Sequence, residues 1–211
     1  MAPGTSRHFQ LETEYVKEVF FMRHGRTLEN LEHVLIGQSD PPLSEEAREE
    51  IHSIRSYVIR PDIVFSSDLK RASETTQLLF PDHKIILLPQ LRERNFNELQ
   101  GQPASILRQA NLRGDALHQL DGDEAIFKDA GVEPLSSLKA RAEYVLNLIK
   151  EANAQKVMVV SHGAFINCLI NGLLPEARIG HPLNNLHYHK ITLDDQGNVR
   201  DVKLNQEWLR R

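Results

Sequence analysis

The stretches VFFMRHG at 19–25 and VMVVSHG at 157–163 decide the fold. Each is a short apolar run, rich in β-branched or aromatic residues, that stops at a histidine followed by a glycine. Runs of this length without polar alternation read as strands buried on both faces, the kind found in parallel sheets covered by helices. In a mostly parallel sheet His24 and His162 emerge at the C-terminal ends of strands, where open α/β sheets bind ligands. Gly25 and Gly163 then allow a close backbone approach or a turn.

Outward from these two strands the chain alternates between the two periodicities. After Pro41-Pro42-Leu43, Ser44 is placed to cap a helix that has Glu45 and Glu46 in its first turn, where negative charge suits the helix dipole. Ala47, Ile51, Ile54 and Val58 continue it as one apolar stripe until Pro61. Asp62-Ile-Val-Phe-Ser-Ser reads as a strand, Leu69, Ala72, Thr76 and Leu79 as the stripe of a second helix, and Lys84-Ile-Ile-Leu-Leu as a third strand ending at Pro89. Strand and helix alternating without long linkers predict a three-layer α/β/α sandwich with a mostly parallel central sheet.

Residues 91–134 break the pattern. They are polar, contain Gly101, Gly114, Gly122 and Gly131, and have apolar positions only in pieces. We read them as short helices and loops inserted into a single domain spanning 1–211, forming one wall of a site. Ser137 is placed to cap a long helix with Leu138, Ala142, Val145, Ile149 and Ala152 on one face, and Ala164 to Leu174 reads as a buried helix. YHKITL, a turn at Asp194–Asn198, and VRDVKL predict a hairpin at a sheet edge.

The composition fits this architecture and excludes several functions. Of 211 residues 40% are apolar and 26% charged, and a chain of this length buries roughly 70% of its unfolded surface without staples. Lys and Arg number 25 against 29 Asp and Glu, a net charge of -4, which excludes the broad basic field of non-specific nucleic-acid binding. The single cysteine cannot form an internal disulfide. No apolar run approaches the roughly eighteen residues of a membrane span, and the opening MAPGTSRHFQLETE lacks the apolar core of a secretory leader. The expectation is a cytoplasmic protein with no membrane or nucleic-acid partner. The oligomeric state is left open, a homodimer included.

Arginines stand where the histidines do. Arg23 precedes His24, and Arg71 falls in the first turn of the helix after Ser66-Ser67, an unfavourable place for a cation unless it faces an anion. The guanidinium fork matches phosphate oxygens. Two histidines and two arginines at strand ends describe a phosphate site.

Arg23-His24-Gly25-Arg26-Thr27-Leu28-Glu29-Asn30, followed by Gly37, Asp40, Pro42 and Leu43, resembles the signature of the histidine phosphatase superfamily, also called phosphoglycerate mutase-like. Ser67-Asp68-Leu69-Lys70-Arg71-Ala72 with Thr75 resembles its second block, Leu91-Arg92-Glu93 with Phe96, Leu99, Gln100 and Gly101 its third, and Ser161-His162-Gly163 its last. An RHG triplet alone is weak; four blocks in the family's order, from residue 19 to about 167, are strong.

The resemblance implies the phosphoglycerate mutase-like fold and assigns His24 as the nucleophile that carries the phosphoryl group. It further implies that Arg23, Arg71 and His162 surround that group, and that Glu93 donates the proton to the leaving oxygen. Thr27 and Asn30 are expected to add neutral donors, and Gly37 and Gly163 to line the substrate site. The chemistry agrees. Neutral imidazole is nucleophilic near pH 7, a backbone carbonyl can hold its other nitrogen, and the charge of a phosphate favours a protonated carboxyl beside it. No cofactor or metal ion is called for.

The implied activity is hydrolysis of a small phosphomonoester through phosphohistidine. The nearest alternative is a phosphoglycerate mutase, which shares the intermediate. Mutases of this type generally carry a larger, more basic insertion after the acidic block, whereas residues 102–130 here offer only Arg108, Arg113 and Lys128, widely spaced. A non-catalytic phospho-ligand-binding module would be expected to lack His24, Glu93 or His162, and all three are present. The chain departs from the commoner pattern at Asn95–Glu98, which lacks a glycine, and at Gly131-Val-Glu133-Pro in place of Gly-Glu-Ser, both near the expected pocket wall.

Other polar groups carry less. His187 and His189 are expected to be solvated residues on one strand face, and with His181 they make a weak zinc pattern. Cys168 reads as a buried helix residue, and Asp121, Asp123 and Glu124 as a wet loop without calcium-loop spacing.

Overall fold

In the computed structural model, residues 16–106, 125–173 and 183–208 are described. The two histidine-ended strands, β1 (Lys17–Arg23) and β4 (Lys156–Ser161), lie side by side and parallel, with Val19 opposite Val157 and Arg23 opposite Ser161. β2 (Ile63–Ser66) pairs parallel with the other edge of β4, and β3 (Ile85–Leu87) with β2. The hairpin β5 (Tyr188–Leu193) and β6 (Val199–Gln206) joins antiparallel to β1. The sheet order is β3-β2-β4-β1-β5-β6, so the histidine strands are its two central strands. The sheet is mostly parallel, as expected.

Side chains of β1 and β4 alternate between two cores. Val19, Phe21, Val157 and Val159 meet α5 (Leu135–Glu151) and α6 (Gly163–Leu173), through Leu138, Ala142, Val145, Ile149, Phe165 and Ile166 among others. Phe20, Met22, Met158 and Val160 face the other way, onto α2 (Glu45–Ile54) and α3 (Lys70–Leu79) through Ala47, Ile51, Ala72 and Leu79. Each such fully buried apolar side chain contributes about 1.5–3 kcal/mol relative to exposure, so both faces drive assembly. A smaller cluster of Leu35, Phe96, Leu99, Phe127, Ala130 and Val132 joins α4 (Ala125–Asp129) to the segment after the short helix α1 (Leu28–Leu31); much of the expected wall, residues 107–124, lies outside the described residues.

Three expectations are corrected. Ser44 does cap α2, its side chain accepting from Ala47 N, but the helix stops at Ile54, and Val58 is buried from the turns beyond it. The Tyr57 amide there bonds the carbonyl of Ile54, tightening the chain out of the α-helical ladder. Ser137 does not cap α5, which begins at Leu135 after Pro134. Its hydroxyl instead donates to Glu133 Oε1 at 3.1 Å. His189 is not solvated: it is fully buried, with Nδ1 accepting from the Asn205 amide at 2.9 Å, and burial pushes it down to about 4. His187, half-buried, lies before β5, and His181 lies outside the described residues.

Lys17 opens β1 in an uncommon environment. Only 5% exposed, its ammonium donates to the carbonyls of Ile149, Lys150 and Ala152 at 2.7, 2.8 and 2.7 Å, closing the C-terminal end of α5. Among the described residues no helix is long and apolar enough to cross a membrane.

Candidate active site

The register of β1 and β4 fixes where the histidines emerge. His24 and His162 each follow the last residue of their strand, and the ring centroids are 4.9 Å apart. The His24 backbone is held by its amide to Ser161 O and by Asn185 Nδ2 donating to its carbonyl at 2.8 Å.

The His24 ring is constrained at both nitrogens. Nδ1 lies 2.6 Å from the carbonyl of Gly25, which can only accept, so Nδ1 carries the proton. Arg71 Nε then donates to Nε2 at 3.2 Å, which requires a lone pair there. Burial, together with the charges of Arg71 and Arg23, holds the imidazole well below its ordinary value, so at neutral pH it is an uncharged base with its lone pair on Nε2.

Arg71, in the first turn of α3, is buried. Nη1 donates to Ser39 O and Nη2 to Gly37 O, both at 2.7 Å. Its two terminal nitrogens are therefore anchored on backbone, each with one N–H to spare. Burial pushes it down to about 10, still a cation at neutral pH. Gly37 makes this possible: its φ is +54°, and a Cβ there would lie 2.3 Å from Gln100 Oε1, which accepts from the Gln38 amide. Arg23 is half-buried; its Nη1 donates to Leu183 O at 2.9 Å, while its buried Nε finds no partner among the described residues.

His162 stands behind His24. Its Nε2 is 2.9 Å from Ser67 Oγ, and Nδ1 has no partner among the described residues. Burial and the charge of Arg71 hold it, like His24, well below the ordinary value.

Glu93 comes from the inserted wall and sits at the N-terminus of α6. Its Oε1 accepts from the amides of Arg94 (2.9 Å) and Phe165 (3.1 Å), and its Oε2 from that of Ala164 (3.2 Å). Gln38 Nε2 donates to its carbonyl at 3.0 Å, tying the acid to the same loop that anchors Arg71.

Most of these groups open onto a cavity of about 350 Å³. Arg23, His24, Arg71, Glu93 and Gly163 border its inner end, with Asn30 and Gly37, while Val34, Leu35, Ile36, Phe96 and Ala104 make an apolar wall. Gly163 leaves Arg23 open, since a Cβ there would rest 3.7 Å from its guanidinium carbon. Two expected groups do not line the cavity: His162, which is fully buried, and Thr27. Thr27, also fully buried, caps α1, its hydroxyl accepting from the Asn30 amide while Asn30 Oδ1 accepts from Thr27 N. That capping box uses the Asn30 oxygen and leaves its amide nitrogen for the cavity.

Two polar lining residues have no place in the sequence-based expectations. Asn167 is 8% exposed with Oδ1 unpartnered among the described residues, and His33 sits at φ 56°. The signal for Asn167 was present: a polar residue inside AFINCLI, one helical turn from Gly163 and so on its face. Arg108 and Arg113 lie outside the described residues.

Comparison with known proteins gives the chain's family and fold. "Probable phosphoglycerate mutase GpmB" of Yersinia pestis (strain Pestoides F) is 30% identical over 162 residues, 74% of this chain and 74% of the relative. Among solved structures, phosphoglycerate mutase from Bacillus anthracis str. Sterne superposes with a TM-score of 0.75 at 24% identity, covering 89% of this chain and 92% of its own. Phosphoserine phosphatase from Entamoeba histolytica, solved with 3-phosphoglyceric acid, gives 0.71 at 24% identity over 92% and 100%. The sequence profile of the histidine phosphatase superfamily (branch 1) matches residues 19–205, and the chain belongs to that family.

Proposed function

We propose that the protein is a phosphomonoesterase that hydrolyses a small phosphorylated metabolite through a phosphohistidine at His24. The observation that carries this reading is the His24 ring, with Nδ1 bound to the Gly25 carbonyl and Nε2 presented as a buried, uncharged base between two arginines.

The substrate phosphate binds against Arg23, with its oxygens taking the free N–H of Arg23 Nε, the remaining N–H groups of Arg71, and His162 Nδ1. As phosphate enters, the Arg71 Nε–H passes from Nε2 to a phosphate oxygen, and the freed lone pair of Nε2 attacks phosphorus in line, the N–P bond forming as the ester P–O bond breaks. The ring becomes cationic, and the Gly25 carbonyl stabilises its Nδ1–H. Glu93 gives its proton to the departing oxygen. That proton resides on Oε2, because Oε1 already accepts two amides while Oε2 accepts one. Water then attacks phosphorus with Glu93 as base, phosphate leaves, and the proton returns to Glu93. No step calls for a metal ion.

A phosphoglycerate mutase is the second reading, favoured by the name of the 30% identical Yersinia relative. It shares the phosphohistidine and returns the phosphoryl group to phosphoglycerate. One experiment tests both. Phosphate release across a panel of metabolite monoesters is compared with interconversion of 2- and 3-phosphoglycerate, while acid-labile phosphate on the protein is trapped by rapid quench. Release with His24-dependent acid-labile phosphate, both abolished in His24→Ala, is expected. Rapid interconversion with little release would replace the phosphatase with the mutase, and undiminished labelling of His24→Ala would move the nucleophile elsewhere.

A further inference from the structure

One side chain outside the cavity lining grips both halves of the cradle that holds Glu93. Arg141, on α5, donates through Nη1 to the carbonyls of Gln90 (2.6 Å) and Arg92 (2.9 Å), and through Nη2 to that of Glu93 itself (3.4 Å). The same guanidinium lies over the ring of Phe165, 5.2 Å from its centroid, and Phe165 supplies one of the amides that Glu93 Oε1 accepts. It thus touches the loop that carries the acid and the helix end that receives it.

Glu133 locks the clamp. Its carboxylate takes Arg141 Nε on Oε1 (2.9 Å) and Nη2 on Oε2 (2.8 Å), a two-pronged pair that fixes the guanidinium plane. Burial works against the Glu133 charge, but Arg141, the Asn95 amide and the Ser137 hydroxyl outweigh it and hold the carboxyl below the usual range. The Glu133 backbone carbonyl accepts from Arg94 Nε at 2.9 Å, and Oε2 accepts from Asn95 N at 3.1 Å. The residues flanking Glu93 on its C-terminal side are thereby bound to Glu133, and those on its N-terminal side to Arg141.

We infer that Arg141, locked by Glu133, is a positioning residue for proton transfer by Glu93, and that it fixes where the acid's Oε2 stands relative to the leaving oxygen. The inference rests on the acid role given to Glu93 above. Arg141 does not line the cavity; of the phosphate-binding groups named above His162 feels its charge, which Arg141→Lys retains, while its hydrogen bonds go to the loop that carries the acid. A displaced acid slows ester cleavage only where the leaving oxygen needs a proton.

The test is single-turnover formation of the phosphoenzyme from an alkyl phosphate and from p-nitrophenyl phosphate, in wild type, Arg141→Met and Arg141→Lys, with the Tm of each. Lysine retains the charge but cannot make the two-pronged pair with three carbonyl contacts, and it carries the test if Arg141→Met fails to fold. The expected result is a slowing with glycerol phosphate on the order of 10-fold or more in Arg141→Met, less in Arg141→Lys, with p-nitrophenyl phosphate within about threefold of wild type. Equal slowing of both substrates in folded variants, or none, overturns the inference while leaving the phosphohistidine in place. Absence of acid-labile phosphate on the wild-type protein overturns the phosphohistidine reading and this inference with it.

Discussion

Arg71 Nε and His24 Nε2, 3.2 Å apart, form a hydrogen bond that only one protonation state of the imidazole can make. The arginine therefore fixes the direction of the His24 Nε2 lone pair, that of the proposed nucleophile, besides lending its charge to the cavity. Because both of its terminal nitrogens hang on the carbonyls of Gly37 and Ser39, the alignment comes from a rigid, fully seated fork.

Replacing Arg71 by Lys keeps a cation but loses that fork. The expected outcome is a loss in kcat/KM on the order of 10- to 1000-fold, the scale of a removed transition-state contact. Steady-state kinetics on protein with an unchanged circular dichroism spectrum checks it; full activity would detach Arg71 from the reaction.

Glu93→Gln keeps the backbone contacts of the acid loop but removes the transferable proton. Phosphoenzyme formation from an alkyl phosphate is expected to fall by roughly 100-fold or more, and from p-nitrophenyl phosphate much less, since the latter's leaving group departs without help. Rapid-quench measurement of the first turnover separates this step from hydrolysis. Equal slowing would count against Glu93 as the acid.

Neither active-site histidine is expected to titrate near its ordinary value. Burial and the neighbouring arginines lower both, so each stays uncharged as pH falls through 6.5. Two-dimensional nitrogen NMR of the ligand-free protein, followed from pH 7.5 to 5.5, should find the His24 resonances at the shifts of an Nδ1-protonated neutral ring throughout. An inflection at 6.5 in those resonances would mean the pocket is wetter than its geometry.

His189 links burial to stability. The unfolded chain binds its proton as pH drops below 6.5, whereas the folded protein resists until about 4. More protons on the unfolded state mean that stability is whole above 6.5 and is lost progressively as pH falls toward 4. At about 1.4 kcal/mol per pH unit, the loss between pH 6.5 and 5 from this residue is about 2 kcal/mol. Urea denaturation at the two pH values should give a difference smaller by that amount in His189→Gln; an unchanged difference would rule the histidine out.

Lys17 is the cap that α5 does not supply from its own sequence. Lys17→Met keeps the aliphatic length and abandons three carbonyls, and a loss of about 2 kcal/mol is expected from a charged donor at a helix C-terminus. Thermal or urea unfolding measures it, and a change below about 0.5 kcal/mol, the size of an ordinary surface substitution, would make the contact incidental.

The fold was legible because its two central strands are the most apolar stretches in the chain and both end on the same dipeptide. Arg23, His24 and Gly163, which line the cavity, and His162 beside them were legible for a related reason: they stand at or just past the paired ends of β1 and β4. What escaped is set by contacts between segments far apart in sequence. Thr27 looked like a ligand donor because its position within the motif carries no information about the cap it closes with Asn30. Arg141 has no signal in the sequence, since nothing within α5 announces the carbonyls of Gln90 and Arg92 that it reaches. His189 stands in the same period-two half of YHKITL as Ile191 and Leu193, the buried half of β5, so the alternation itself carried a burial that the residue's polarity masked.

The segment Gly37-Gln38-Ser39 reaches both the proposed nucleophile and the proposed acid through consecutive residues: carbonyls of the outer two seat Arg71 against His24 Nε2, and the side chain of the middle one holds the backbone of Glu93. One ledge thus bears on both groups. The apolar wall above, Val34–Ile36 and Phe96, contributes none of these bonds. Changes of substrate can therefore accumulate along Val34–Ile36 and at Phe96 without detuning the chemistry beneath them.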